Sequence, residues 1–491
     1  MTSWVAITAG AILAVSAPHT VPDAQRDWGE TLRTDAIALH EEISTSHPGM
    51  VNPDDPEFSA KNEAELAKAL DRAKTAMSFA DYFYAMQRYT ASFNDAHMGF
   101  GVFGNTPDLV VKWPGFVARD DTKRGLKVTH SEAWSKVPEG ARIISCDGKS
   151  GYEIGNARVG SRVGRWKLAS QRQIFSGLVF VDVGDPYAEP IVECIFETGK
   201  GTQSVTLNWR EAGDNFYNRM RIFSFGEPGK VNLSKLADGT IWVSLPTFNG
   251  DPESDSGKEL RALVDEISIK NESIRKAPAL VLDLRGNGGG SGQWAHEFGK
   301  LIWGESAYTR YPEAPMTIVW RTSRNNLSSI KQTFAQRDAN GGLSESSRAW
   351  FLDTIRGLEE ALEKGQDRWV IEPDLLEAPD PEEPRLDYVP PPTQVFVLTD
   401  AMCVSACLDA VDLWRRFGAV HAGQETGADT VYLETRQVVT PSGIGAMAMP
   451  MKYYKGRRRA ANEPVVPEHI FAGDINDDTL VTKWLTSLIA R

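Results

Sequence analysis

The chain has 491 residues, of which 41% are hydrophobic and 24% charged, and a formal net charge of -13. This length leaves room for several structural units with ample core, and the composition is that of an ordinary folded protein. The acidic balance argues against nucleic acid or an anionic membrane as the main partner, because both would repel it.

The first residues, Met1 to Ala17, form an apolar stretch that ends in the small-x-small pattern Val15-Ser16-Ala17. They read as a signal peptide over 1–17, although no Lys or Arg precedes the apolar run. No later run reaches the roughly 20 apolar residues of a spanning helix, so an exported, periplasmic or secreted protein is expected. From Trp28 to Tyr89 apolar residues recur at spacings of three and four, which predicts a helical domain over 18–104. The pattern breaks at Ser92-Phe-Asn-Asp-Ala-His97-Met-Gly, where Asn, Asp and Gly signal a turn.

Residues 105–212 read as short strands joined by turns. Val137-Pro-Glu-Gly-Ala-Arg-Ile-Ile-Ser-Cys146-Asp-Gly contains a strand and an Asp-Gly hairpin signal, and further strands are expected over 190–197 and 203–209. This segment resembles the PDZ module, with Ala141, Cys146 and Asp147 standing where that module has Asp, Val and Asn. The resemblance implies a peptide-binding β-domain that takes chain ends by strand addition.

From 213 to the C-terminus strands and helices alternate. Thr240 to Leu245 reads as a strand, Glu259 to Ile269 as a helix, and Ala279 to Arg285 as an apolar strand of the type buried on both faces. A helix over Gln293 to Trp303 follows, then a charged insertion at about 322–390 that carries a helix near 349–362. The prolines at 379–384 and 390–392 give that insertion a stiff exit. The α/β pattern resumes with the strand Gln394 to Thr399 and the helix Ala406 to Phe417. The basic run Lys455-Gly-Arg-Arg-Arg459 reads as a solvated hairpin tip.

Two strand-turn-helix units carry the chemistry. Asp283-Leu-Arg-Gly-Asn-Gly-Gly-Gly-Ser-Gly292 brings backbone N–H groups and a helix start towards an anion. It fits neither the dinucleotide nor the P-loop pattern, so an oxyanion hole is the better use. In the second unit Ser405 opens a helix. A serine there is most often an N-cap, and the alternative is a nucleophile. Among eight histidines, His97 on its turn is the best base, with His47 the runner-up and His296 inside a helix. Cys403 and Cys407 bracket Ser405, while Cys146 and Cys194 can pair if their strands adjoin. Four cysteines permit three full pairings. Nothing in their spacing suggests a metal site, and no cofactor is implied.

The glycine loop at 286–290, followed downstream by Ser405-Ala-Cys-Leu-Asp409 and Gly423-Gln-Glu-Thr-Gly427, resembles the C-terminal processing (tail-specific) peptidases over roughly 28–475. The relation extends to the tricorn protease core and the interphotoreceptor retinoid-binding protein. The resemblance implies a multi-domain α/β fold with a crotonase-like core. It also implies Ser405 as nucleophile, and Gly288, Gly289 and Ala406 as oxyanion donors. Tail-specific members use a lysine that this chain replaces with Thr426-Gly-Ala-Asp-Thr430, so the tricorn-like arrangement is closer. That arrangement implies His97 as base and Glu463 as its carboxylate, with Glu425 and Glu434 as alternatives. The function expected is a serine peptidase acting on proteins or peptides. A non-catalytic peptide or apolar-ligand binder, or an esterase, are its rivals.

Overall fold

The computed structural model describes residues 26–489, apart from 105, 108, 122–123, 215, 226, 228, 313–314, 340–342, 344 and 374–392. The stretch 1–17 expected to be a signal peptide and the proline-rich segment expected at 379–392 lie outside the described residues. The chain is mixed α/β and divides into two compact units: 1–217 with 316–373 and 430–460, and 218–315 with 374–429 and 461–491.

In the first unit, helices Trp28–Ser46, Phe58–Ala73 and Phe79–Ala91 fall where the periodicity placed them. Asp27 and Ser78 cap the first and third by accepting from the backbone of Glu30 and Asp81. The helices bury Leu32, Leu39, Ile43, Phe58, Tyr82 and Tyr89. An antiparallel sheet runs through Phe116–Asp120, Leu126–Ser131, Arg142–Cys146, Glu193–Thr198 and Gly201–Thr206. The Asp-Gly signal becomes a tight turn with Asp147 and Gly148 both at positive φ, 47° and 77°. The turn leads into Lys149–Ser150, and its Asp147 carboxylate accepts from Val192 N–H and Glu193 N–H. Cys146 faces Cys194 on the neighbouring strand Glu193–Thr198, and the two are joined by a disulfide. A second antiparallel sheet gathers Gly99–Val102, Gly445–Lys455, Thr317–Arg321, Arg368–Ile371 and Tyr432–Val439. The helix near 349–362 extends over Glu345–Glu363 and packs through Phe351 and Leu358 on Trp320 and Met451 of this sheet.

The second unit is built on a sheet in the order Asn232–Lys235, Ile241–Ser244, Ala279–Asp283, Gln394–Thr399, Val420–Gly423, His469–Ile470. The first pair is antiparallel and the remaining pairs are parallel. The near-continuous apolar strand Ala279–Asp283 is buried throughout, as a strand with both faces covered must be. Leu280 and Leu282 face a core with Leu260, Phe298 and Trp414, while Ala279 and Val281 face another with Phe396, Val481 and Leu485. Parallel order requires crossovers, and the helices Asp255–Arg275 and Ala406–Arg416 supply two of them. Among the described residues, no helix is long and apolar enough to cross a membrane.

Candidate active site

In open α/β sheets, ligand-handling loops collect at the C-terminal ends of parallel strands. Ala279–Asp283 and Gln394–Thr399 are neighbours in parallel register, with Asp283 opposite Leu398. The loops that follow them, one carrying the glycines and one carrying Ser405, therefore start side by side.

Buried polar groups fix both loops. Asp283 accepts from Trp242 Nε1 at 3.0 Å and from Arg285 Nε at 2.9 Å, and Arg285 Nη1 donates to the Ile475 carbonyl at 2.8 Å. Asn287 is fully buried. Its Nδ2 donates to the Leu245 carbonyl at 2.7 Å, its Oδ1 accepts from Gly289 N–H at 2.8 Å, and its carbonyl accepts from Val404 N–H at 3.4 Å. Asp400 ties the loops together from the other side, accepting from Gly286 N–H and Met402 N–H, both at 3.0 Å. Burial pushes the Asp400 carboxyl up to about 6, against the lowering effect of these two amides.

Ser405 occupies the turn between strand and helix. An ordinary N-cap serine is extended and accepts from the first helical turn through its side chain. Ser405 instead has φ 55°, ψ -129° and makes no capping bond. It is one of the few non-glycine residues at positive φ among the described residues, a conformation that surrounding structure must impose. A Cβ on Gly289, at φ +85°, would sit 2.9 Å from Ser405 Cβ, 3.0 Å from Ala406 N and 2.7 Å from the Val404 carbonyl, so only glycine permits this approach. Gly427 backs the same turn, where a Cβ would overlap Val404. Ser405, Gly289 and Ala406 are thus brought together within this unit, with Gly288 preceding Gly289 in the loop. The Gly289 N–H, expected as an oxyanion donor, is already donated to Asn287 because that side chain folds back over the turn. Ala406 is the first residue of its helix, so its N–H has no intrahelical partner.

His97 lies in the first unit on the predicted turn, with a side chain 16% exposed. Asp95 organises that turn. Its Oδ1 accepts from His97 N–H at 2.7 Å and from Thr430 Oγ1 at 2.9 Å, and stands 3.6 Å from His97 Nδ1. Burial would raise the Asp95 carboxyl, but the hydrogen bonds and charge of His97 outweigh it and hold the group below its ordinary range. No sequence signal separated Asp95 from any other turn aspartate.

His47, the runner-up, is completely buried and stacked on Phe58 with centroids 4.4 Å apart. Its Nδ1 accepts from Gly49 N–H at 2.9 Å, and burial lowers its pKa to about 3 despite the opposing charge of Asp95. It is a neutral structural histidine. His296 lies in the helix Gln293–Trp303, as its pattern suggested. Glu463 is exposed on the turn that leads to Val465, whose N–H donates to Thr426 Oγ1 at 2.8 Å. Glu434 belongs to the first unit, where it pairs with Lys452 at 3.3 Å. No group of metal-binding side chains occurs among the described residues.

No protein-family model matches the chain, and no curated protein matches it. Among solved structures, mature CPAF superposes with a TM-score of 0.60 at 15% identity, over 94% of this chain and 98% of that one. Mature CPAF complexed with lactacystin gives 0.58 at 15% identity, over 94% and 99%. The photosystem II D1 C-terminal processing protease superposes with a TM-score of 0.33 at 13% identity, over 90% and 93%. The chain therefore carries the fold of mature CPAF, a structure of the tail-specific protease family that its motifs resemble.

Proposed function

We propose that the chain is an exported serine peptidase in which Ser405 forms the acyl-enzyme and His97 is the general base. The observation that carries the reading is the backbone of Ser405. A serine held at φ 55° without a capping bond, after a parallel strand and against Gly289, supports a nucleophilic role over a capping one. His97 takes the proton from Oγ as the hydroxyl attacks a peptide carbonyl, then returns it to the leaving amine. Gly288 and Ala406 N–H groups stabilise the oxyanion, and water releases the acyl group.

Asp95 is the favoured carboxylate for His97, because it is buried and 3.6 Å from Nδ1. Glu463 keeps the assignment implied by resemblance, and kinetics of Asp95→Asn against Glu463→Gln separate the two. Two disulfides support export, since such bonds persist in oxidising compartments.

The decisive experiment exposes the enzyme to a fluorophosphonate and maps the adduct, alongside casein hydrolysis by Ser405→Ala and His97→Ala. An adduct on Ser405 and loss of hydrolysis in both variants, at unchanged thermal midpoint, are expected. An unlabelled Ser405 would instead favour a non-catalytic binding protein. Hydrolysis of an ester without casein cleavage would favour an esterase.

A further inference from the structure

The disulfide between Cys403 and Cys407 closes a ring of five residues with Ser405 at its centre. Both cysteines are fully buried and belong to the same core as Ala406, Leu408, Phe298 and Trp414. A cross-link across so short a loop removes little freedom from the unfolded chain, far less than the bond from Cys146 to Cys194, whose partners are 48 residues apart. Its effect must therefore be sought in the folded turn.

That turn holds a conformation that an L-residue adopts only when its surroundings impose it. Backbone hydrogen bonds flank Ser405 on both sides. Val404 N–H reaches the Asn287 carbonyl at 3.4 Å, and Leu408 N–H donates to the Ser405 carbonyl at 2.8 Å. A further bond, from Cys407 N–H to the Val404 carbonyl at 3.2 Å, spans Ser405 inside the ring that the disulfide closes, and the cross-link reinforces it. Without the cross-link the same sequence has an easier option, an extended Ser405 whose Oγ caps the helix that begins at Ala406. A capped serine offers its lone pairs to backbone N–H groups and is turned away from attack.

Resting on the assignment of Ser405 as nucleophile, we infer that the Cys403–Cys407 disulfide is a positioning element. It keeps Ser405 out of the N-cap conformation and in the attacking one. A displacement of about 1 Å at a reacting atom costs on the order of 100-fold in rate.

The test is the rate of fluorophosphonate labelling, separated into its maximal rate and half-saturating concentration, at a temperature below each protein's unfolding transition. The variants are Cys403→Ala with Cys407→Ala, a better-filled pair Cys403→Val with Cys407→Ala, and the control Cys146→Ala with Cys194→Ala. The maximal labelling rate is expected to fall about 10- to 100-fold in both 403/407 variants, with the half-saturating concentration unchanged. The control is expected to label at the wild-type rate. Wild-type labelling rates in a folded 403/407 variant would overturn the positioning role while leaving Ser405 as nucleophile. Failure of the wild-type enzyme to label would overturn the nucleophile assignment itself. Equal slowing in the control pair would reduce the effect to general destabilisation and overturn the inference.

Discussion

Replacing Gly289 by alanine tests the geometry most directly. The added Cβ would lie 2.7 Å from the Val404 carbonyl oxygen, 2.9 Å from Ser405 Cβ and 3.0 Å from Ala406 N. These neighbours are backbone atoms or a fixed Cβ, so none can swing aside. Restoring contacts of about 3.5 Å or more requires the glycine loop and the serine turn to part by roughly half an ångström to one ångström. Holding an alanine at φ +85° adds about 1–2 kcal/mol of backbone strain. A shift of that size costs about 100-fold through misplacement of the nucleophile. The same shift would pull the Ala406 N–H away from the oxyanion, and loss of one such donor costs roughly 10²–10³-fold. The expected fall in kcat is therefore about 10²–10³-fold, or roughly 3–4 kcal/mol of transition-state stabilisation. Gly288→Ala is the control: a Cβ there meets nothing within 4 Å, and alanine keeps the N–H. It is expected to stay within about threefold of wild type, since a change that touches nothing should move the barrier by well under 1.4 kcal/mol. Casein hydrolysis and fluorophosphonate labelling read both variants. An active Gly289→Ala enzyme, or equal damage from Gly288→Ala, would refute the reasoning.

Other outcomes follow from the buried groups. Asp95→Asn should lower kcat by on the order of 100-fold and move the acid limb of the pH profile to lower pH, because the carboxylate favours the protonated imidazole. An unmoved limb would remove Asp95 from the base. Burial leaves Asp400 at about 6 and His421 at about 3, and their linkage signs are opposite. The folded acid binds its proton more readily than the unfolded one, so its contribution is complete at low pH and fades as pH rises through about 6. The folded histidine resists its proton, so its contribution is complete above its ordinary value of 6.5 and fades as pH falls towards about 3. Between about pH 4 and 6 the two offset one another. Asp400→Asn should then lose thermal stability from pH 7 to pH 4.5 more steeply than wild type, and parallel midpoints would contradict this. Removing the Cys146–Cys194 bond, with its separation of 48, should cost about 4 kcal/mol by the loop-entropy estimate, against about 2 kcal/mol for Cys403–Cys407. Guanidinium midpoints of the two double-alanine variants compare them, and the reverse order would contradict the estimate.

Much of the scaffold was legible because its signals are local. The strand at 279–283, the helix at 293–303, the strand at 394–399 and the helix start at 406 follow from apolar runs, glycines and a capping position. The Asp147-Gly148 turn is equally local, but the Cys146–Cys194 pairing needed the non-local pairing of Arg142–Cys146 with Glu193–Thr198. Ser405 and the glycine loop were identified as sequence motifs because they too are local.

Only the tertiary structure decided what those motifs do. Whether Ser405 caps its helix or points away depends on a single φ angle, in a turn that Gly289 and Gly427 approach closely from other parts of the chain. The use of Gly289 N–H by Asn287, and the burial of Asp95 beside His97 and Thr430, arise from side chains that meet only after folding. Sequence therefore determined the elements and the chemical inventory of this protein. Close packing between distant segments determined which groups remain free to act.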